Sequence, residues 1–123
     1  MRLYVIGHAG QGWYKIGISE NPETRVVAIQ TGCPLRVKIH VDVENDQAAE
    51  LEQALHKHFA DRRLEGEWFY LTREQVAYIG RVAPGWTKEA WEQGEFPEFN
   101  TALETAWRAF LGEWFCEKYP DLV

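Results

Sequence analysis

Cysteine is scarce in this 123-residue chain: Cys33 and Cys116 stand far apart and in no Cys-x-x-Cys spacing. Neither a zinc knuckle nor a disulfide framework is suggested, any metal would have to be held by oxygen or imidazole, and the thiols suit a reducing, intracellular compartment. Long apolar runs are missing too. "RLYVIG" near the start is too short for a secretory segment and no stretch reaches membrane-spanning length, so the expectation is a soluble cytoplasmic protein with no membrane partner. Nor is there a basic excess: the formal net charge is −6, which argues against coating nucleic acid by bulk electrostatics. The acidity is uneven. Residues 1–73 hold nine Lys and Arg against ten Asp and Glu, whereas residues 74–123 hold four against nine.

What is present is a globular composition. Hydrophobic residues make up 46%, with six Trp and six Phe. A chain of this length buries roughly two thirds of its unfolded surface without needing staples. Composition shifts toward Trp and Glu after Ala83-Pro84-Gly85. The expected organisation is therefore a domain over residues 1–83 followed by an acidic, Trp-rich helical extension over 84–123 that packs on it.

Local patterns supply the elements. "RLYVIG" and "WYKIGIS" are β-branched and aromatic runs separated by the Gly-rich "HAGQG", a hairpin signature. In "ENPETRVVAIQTG", Asn21 is placed to cap a helix, Pro22 to begin it, Glu23 to face its dipole and Gly32 to end it. Leu35, Val37, Ile39, Val41 and Val43 alternate with Arg36, Lys38, His40, Asp42 and Glu44, which predicts a half-buried strand with one polar face. Leu51, Leu55 and Phe59 form an apolar stripe that predicts a helix from Asp46 to about Arg63. "EWFYL" predicts a short strand, and Thr72 with Gln75 forms a capping box for the next helix. Further on, Thr101 and Glu104 form another box, with Leu103, Trp107, Phe110 and Trp114 at helical spacing. The fold class is α+β, with a small three- to four-stranded antiparallel sheet flanked by helices.

"GEWF" occurs twice, at Gly66–Phe69 and Gly112–Phe115. The surroundings share nothing else, so no internal repeat is indicated. The second copy continues the Trp107 stripe, with Glu113 on the helix flank. The first ends an ordered series: "LYVIG", "YKIGIS", Arg25 eight residues after Gly17, "ELEQALHKHF" and "GEWF". Over residues 3 to about 71 this series resembles the GIY-YIG nuclease superfamily, and within it the phage and meiotically up-regulated gene branch.

The resemblance implies a DNA endonuclease that hydrolyses phosphodiester bonds with a single Mg²⁺ or Mn²⁺. Tyr4 falls on the family's first tyrosine, which helps deprotonate the attacking water. Arg25 falls on the helix arginine that neutralises phosphoryl charge, and Glu67 on the metal-binding glutamate. His56 matches the helix histidine, with Glu52 one turn earlier placed to hold one imidazole tautomer. Lys15 stands where the superfamily has its second tyrosine, as is usual in this branch, and is a candidate catalytic residue, to contact phosphate or to act as a base if its neighbours lower its pKa, while Tyr14 points to the opposite strand face. A Mg²⁺ site of one or two carboxylates plus phosphate, and a planar arginine fork beside it, suit this chemistry.

Arg36, Lys38 and His40 on the strand's polar face are candidates for DNA contact, as are Arg62 and Arg63, which also suit a helix C-terminus. His8 belongs at the rim of the site, and His58 points elsewhere. Two other readings stay open: a module of the same fold that binds nucleic acid without cutting it, and a regulatory subunit whose acidic C-terminal helix docks a protein partner.

Overall fold

The computed structural model describes residues 1–96. Strands β1 (Arg2–His8) and β2 (Trp13–Ser19) form the expected antiparallel hairpin. Helix α1 (Pro22–Thr31) follows, strand β3 (Lys38–Glu44) returns along the other side of β1, and helix α2 (Ala48–His58) comes next. Two short strands, β4 (Arg63–Glu65) and β5 (Trp68–Tyr70), then form a second hairpin, before helices α3 (Arg73–Val82) and α4 (Lys88–Glu92). The sheet is antiparallel with order β3-β1-β2-β5-β4, five strands rather than three or four.

Strand β1 divides its side chains between the two faces. Leu3 and Val5 join Tyr14, Ile16, Leu51, Leu55, Phe69, Val76 and Ile79 in the main core, under α2 and α3. Tyr4 and Ile6 join Val37 on the opposite face, with Val26 and Ile29 of α1 packed over them. Helix α1 starts as expected: the Asn21 side chain accepts from the Thr24 amide, and Pro22 occupies the first turn. Helix α3 opens with the reciprocal Thr72–Gln75 capping box.

Three expectations change. Helix α2 ends at His58, and residues Ala60–Arg62 make one 3₁₀ turn rather than continuing it. Strand β4, composed of exposed residues, was not anticipated. Strand β3 begins at Lys38 rather than Leu35, and its pairing with β1 skips a residue, since Val5 faces Val41 while Ile6 faces Ile39. The extra residue at this bulge is His40, which breaks the period of two and turns inward. His40 is 3% exposed, its Nε2 lies 3.2 Å from the Gly7 carbonyl, and its ring meets Tyr14 edge-on.

Beyond α3 the chain stays on the same core. Trp86 is buried, and the Asn45 amide donates to the Ala83 and Trp86 carbonyls at 2.9 and 3.0 Å. Trp91 and Phe96 pack against this cluster. The second GEWF copy, its Glu113 and the Leu103–Trp114 stripe lie outside the described residues. Among the described residues no helix is long and apolar enough to cross a membrane.

Candidate functional site

The β2 strand is paired unevenly. Strand β5 reaches only Trp13–Lys15, and the ladder ends where the Ile16 amide donates to the Glu67 carbonyl at 3.1 Å. Beyond that point, among the described residues, the Ile16–Ser19 half of β2 has no strand on this side. Gly17, which follows, presents no side chain. Groups from the β1 strand, helices α1 and α2 and the β4–β5 turn meet at this place.

Tyr4 faces Gly17 across the hairpin and lays its ring on it. A Cβ on residue 17 would come within 2.5 Å of the Tyr4 hydroxyl oxygen, so glycine is required by close approach. Gly17→Ala should therefore displace the ring, lower stability by about 1–3 kcal/mol through overpacking, and reduce any activity that uses the Tyr4 hydroxyl. Thermal melts and activity assays on the same preparation check both effects.

The Arg25 guanidinium is a neighbour of the Tyr4 hydroxyl, near enough to act on its ionisation. Arg25 lies on the exposed side of α1, one residue before Val26, which anchors the helix on the sheet. Burial pushes the Tyr4 pKa up, and Arg25 opposes this by hydrogen bond and charge, while Glu67 and Glu52 raise it further. Tyr4 is consequently a neutral phenol at physiological pH, with its own O–H available to donate.

Lys15 shares the Tyr4 face of the sheet, because Ile6 pairs with Lys15 and Tyr4 with Gly17. Its Nζ stands 3.5 Å from Glu67 Oε2. Tyr14 is on the other face, fully buried in the main core, as strand alternation requires. Glu67 occupies the β4–β5 turn, directly after Gly66, whose φ of 57° is the left-handed conformation that favours glycine. Arg63 donates to the Gly66 carbonyl and closes this turn. The Glu67 side chain remains partly open to solvent, at 40% exposure.

His56 lies on α2 and reaches the Ile16 carbonyl with Nε2 at 2.9 Å. A carbonyl only accepts, so Nε2 donates this hydrogen bond. Backbone thus holds the Nε2 side of the ring, and Glu52 meets His56 through charge. Glu52 has a different character: it is 8% exposed, and its carboxyl is pushed above the usual range, first by burial and then by the Glu67 charge, with His56 and Lys15 opposing. Sequence reasoning gave Glu52 only a positioning part; its i, i+4 spacing from His56 was the available signal.

A carboxyl whose pKa is raised by folding favours the folded state below its unfolded pKa, and that contribution is lost as pH rises through the folded value. Glu52→Gln should therefore raise the melting temperature at neutral pH relative to wild type, with the advantage shrinking as pH falls toward the ordinary glutamate range and gone below it. A series of melts across pH checks the sign.

The remaining candidates are dispersed. Arg36 and Lys38 are exposed, His40 is buried by the bulge and cannot reach a phosphate backbone, and Arg62 stands 6.0 Å from the Tyr70 ring centroid. Arg63 is exposed on β4. His8 stays at the hairpin rim, accepting from the Gln11 amide. His58 stacks on Tyr78, away from the cluster.

No group of three or more His, Cys, Asp or Glu side chains among the described residues could by itself hold a metal ion. A single hard divalent ion is compatible with what is present. Glu67 is accessible, and its charge already burdens Glu52, so a cation beside it would relieve that repulsion. Most of the ligands would then be water and substrate oxygen.

The T5orf172 domain matches residues 1–82. The chain belongs to the T5orf172 domain family. This domain is phage-associated and is related to GIY-YIG-like nucleases in some classifications, which places the chain in a nuclease or DNA-binding family. No curated protein and no solved structure matches. Every member of the cluster, from Tyr4 to Glu67, lies inside the T5orf172 domain, and Trp86 onward lies outside it.

Proposed function

We propose that this T5orf172 domain is a metal-dependent DNA endonuclease of the GIY-YIG type, hydrolysing phosphodiester bonds at the Tyr4–Arg25–Glu67 cluster. The observation that carries the reading is the meeting of the Tyr4 ring, laid on Gly17, with the Lys15–Glu67 ion pair, and Arg25 beside the Tyr4 hydroxyl. Donors for a phosphoryl oxygen and an acid group suited to a divalent ion lie together on one side of the hairpin.

In this mechanism Arg25 and Lys15 receive the phosphate. The guanidinium offers a planar fork to two oxygens, one of them bearing the charge that develops as water attacks. The neutral Tyr4 hydroxyl, beside Arg25, donates a hydrogen bond to a phosphoryl oxygen and so orients the phosphate for attack. Glu52, buried and less acidic than an ordinary carboxyl, takes the proton from the water, the role for which a raised carboxyl pKa is suited. His56 holds the open edge of β2 through Ile16 and keeps α2 in register with the site. Glu67 would hold a Mg²⁺ or Mn²⁺, which when bound supplies Lewis-acid stabilisation of the leaving oxygen.

The experiment is incubation of plasmid and branched DNA with each metal, using the wild type and Glu67→Ala. A non-catalytic DNA-binding module would leave every substrate intact and bind equally with either residue.

A further inference from the structure

Next to Lys15, a groove of about 480 Å³ opens between the β2–β5 pair and the end of α1. Trp13, Trp68 and Leu64 line one side, Cys33 and Pro34 the other, and Lys15 is shared with the cluster described above. Trp13 and Trp68 meet edge-to-face at 5.4 Å and are only half-buried, so ring surface faces the groove. Their positions follow from the ladder: Lys15 pairs with Trp68, and Trp13 pairs with Tyr70, which puts all four side chains on one face. Tyr70 is 51% exposed and carries Arg62 over its ring at 6.0 Å. A row of aromatic rings thus runs from one cation, Lys15, to another, Arg62.

We infer that this groove takes an unpaired nucleobase next to the phosphate held by Lys15 and Arg25, so that the preferred ligand is DNA with a single-stranded segment. The inference rests on the reading that the adjoining cluster meets a DNA phosphate. A groove for backbone would be lined by cations; here the lining offers aromatic and aliphatic surface, with Lys15 and Glu65 its charged members. In a duplex the bases are stacked inside and present no ring face to such a wall. An unstacked base does, and aromatic platforms flanked by cations bind single strands in this way. The volume lies within the range of small-ligand sites.

The test separates binding from cleavage by working in a metal chelator. Fluorescence anisotropy compares a thymidine oligonucleotide, the same strand with its bases removed, and a duplex of equal length. The wild type should favour the intact single strand. Trp13→Ala should lose about tenfold of that affinity while duplex binding is unchanged, and Trp13→Phe should retain most of it. Because Trp13→Ala could disturb the sheet, alkylation of Cys33 in a Cys116→Ser background offers a second block, filling the groove without altering its frame. Equal affinity for the intact and base-free strands, preference for the duplex, or no loss on Cys33 alkylation would overturn the inference. Base-dependent binding without cleavage in metal would sink the nuclease reading alone. Cleavage without base dependence would sink the groove alone.

Discussion

Arg25→Ala is expected to reduce the rate of DNA cleavage by about 10²–10³-fold, the usual cost of removing one preorganised donor from developing charge. The side chain is exposed on α1 and its contact of note is the Tyr4 hydroxyl, so the fold should be almost indifferent to the change. Surface substitutions of that kind alter stability by about 0.5 kcal/mol or less. Arg25→Lys should not restore the rate, because a point charge cannot offer two parallel donors to a phosphate. Tyr4→Phe removes the hydroxyl that Arg25 faces. If the two residues act as one unit, the double variant should be little slower than the worse single variant. Single-turnover cleavage of the four proteins measures this, and fully multiplicative losses would show that Tyr4 and Arg25 act separately.

Glu67→Ala should have the larger effect still, lowering cleavage by about 10³-fold or more, if one carboxylate carries the divalent ion. DNA affinity measured without metal should stay the same or rise, since a negative charge has left the side of the site that meets phosphate. The turn itself has independent supports: the left-handed Gly66, the bond from Arg63 to the Gly66 carbonyl, and the backbone bond from the Ile16 amide to the Glu67 carbonyl. None of these needs the carboxylate. Glu67→Gln, which keeps shape and loses charge, should be as inactive as the alanine variant and as stable as wild type. If Glu67→Gln cleaved normally, the residue would be a turn carboxylate paired with Lys15 and nothing more.

How far the molecule could be read from its residues differs by element. Helices α1 and α3 announced their starts, because Asn21-Pro22 and Thr72 with Gln75 are local chemistry that needs no tertiary partner. The two faces of β1 and β2 were readable from alternation, which separated Lys15 from Tyr14 correctly. Strand β4 was not, since Arg63, Leu64 and Glu65 are all exposed and carry no period of two; pairing with β5 through the Gly66 turn makes them a strand. The bulge at His40 was invisible for a related reason. The bulge breaks the period of two in the folded strand while the residues themselves go on alternating apolar and polar, so His40 read as a surface residue while it lies in the core.

The site shows the same division. Gly17, Tyr4, Arg25 and Glu67 could be named from ordered motifs, and the Tyr4–Arg25 and Lys15–Glu67 contacts bring them together. The protonation of Tyr4 and the burial of Glu52 could not, because both depend on charges brought in from distant parts of the chain. The hold of His56 on the Ile16 carbonyl depends on β5 stopping short, which no local pattern records.

The most direct measurement is a time course of plasmid and branched DNA with the wild type and Glu67→Ala side by side, in Mg²⁺ and in Mn²⁺. The account predicts nicked or linear products from the wild type in at least one metal, none in chelator, and none from Glu67→Ala under any condition. Intact substrates throughout, or equal cutting by both proteins, would contradict it.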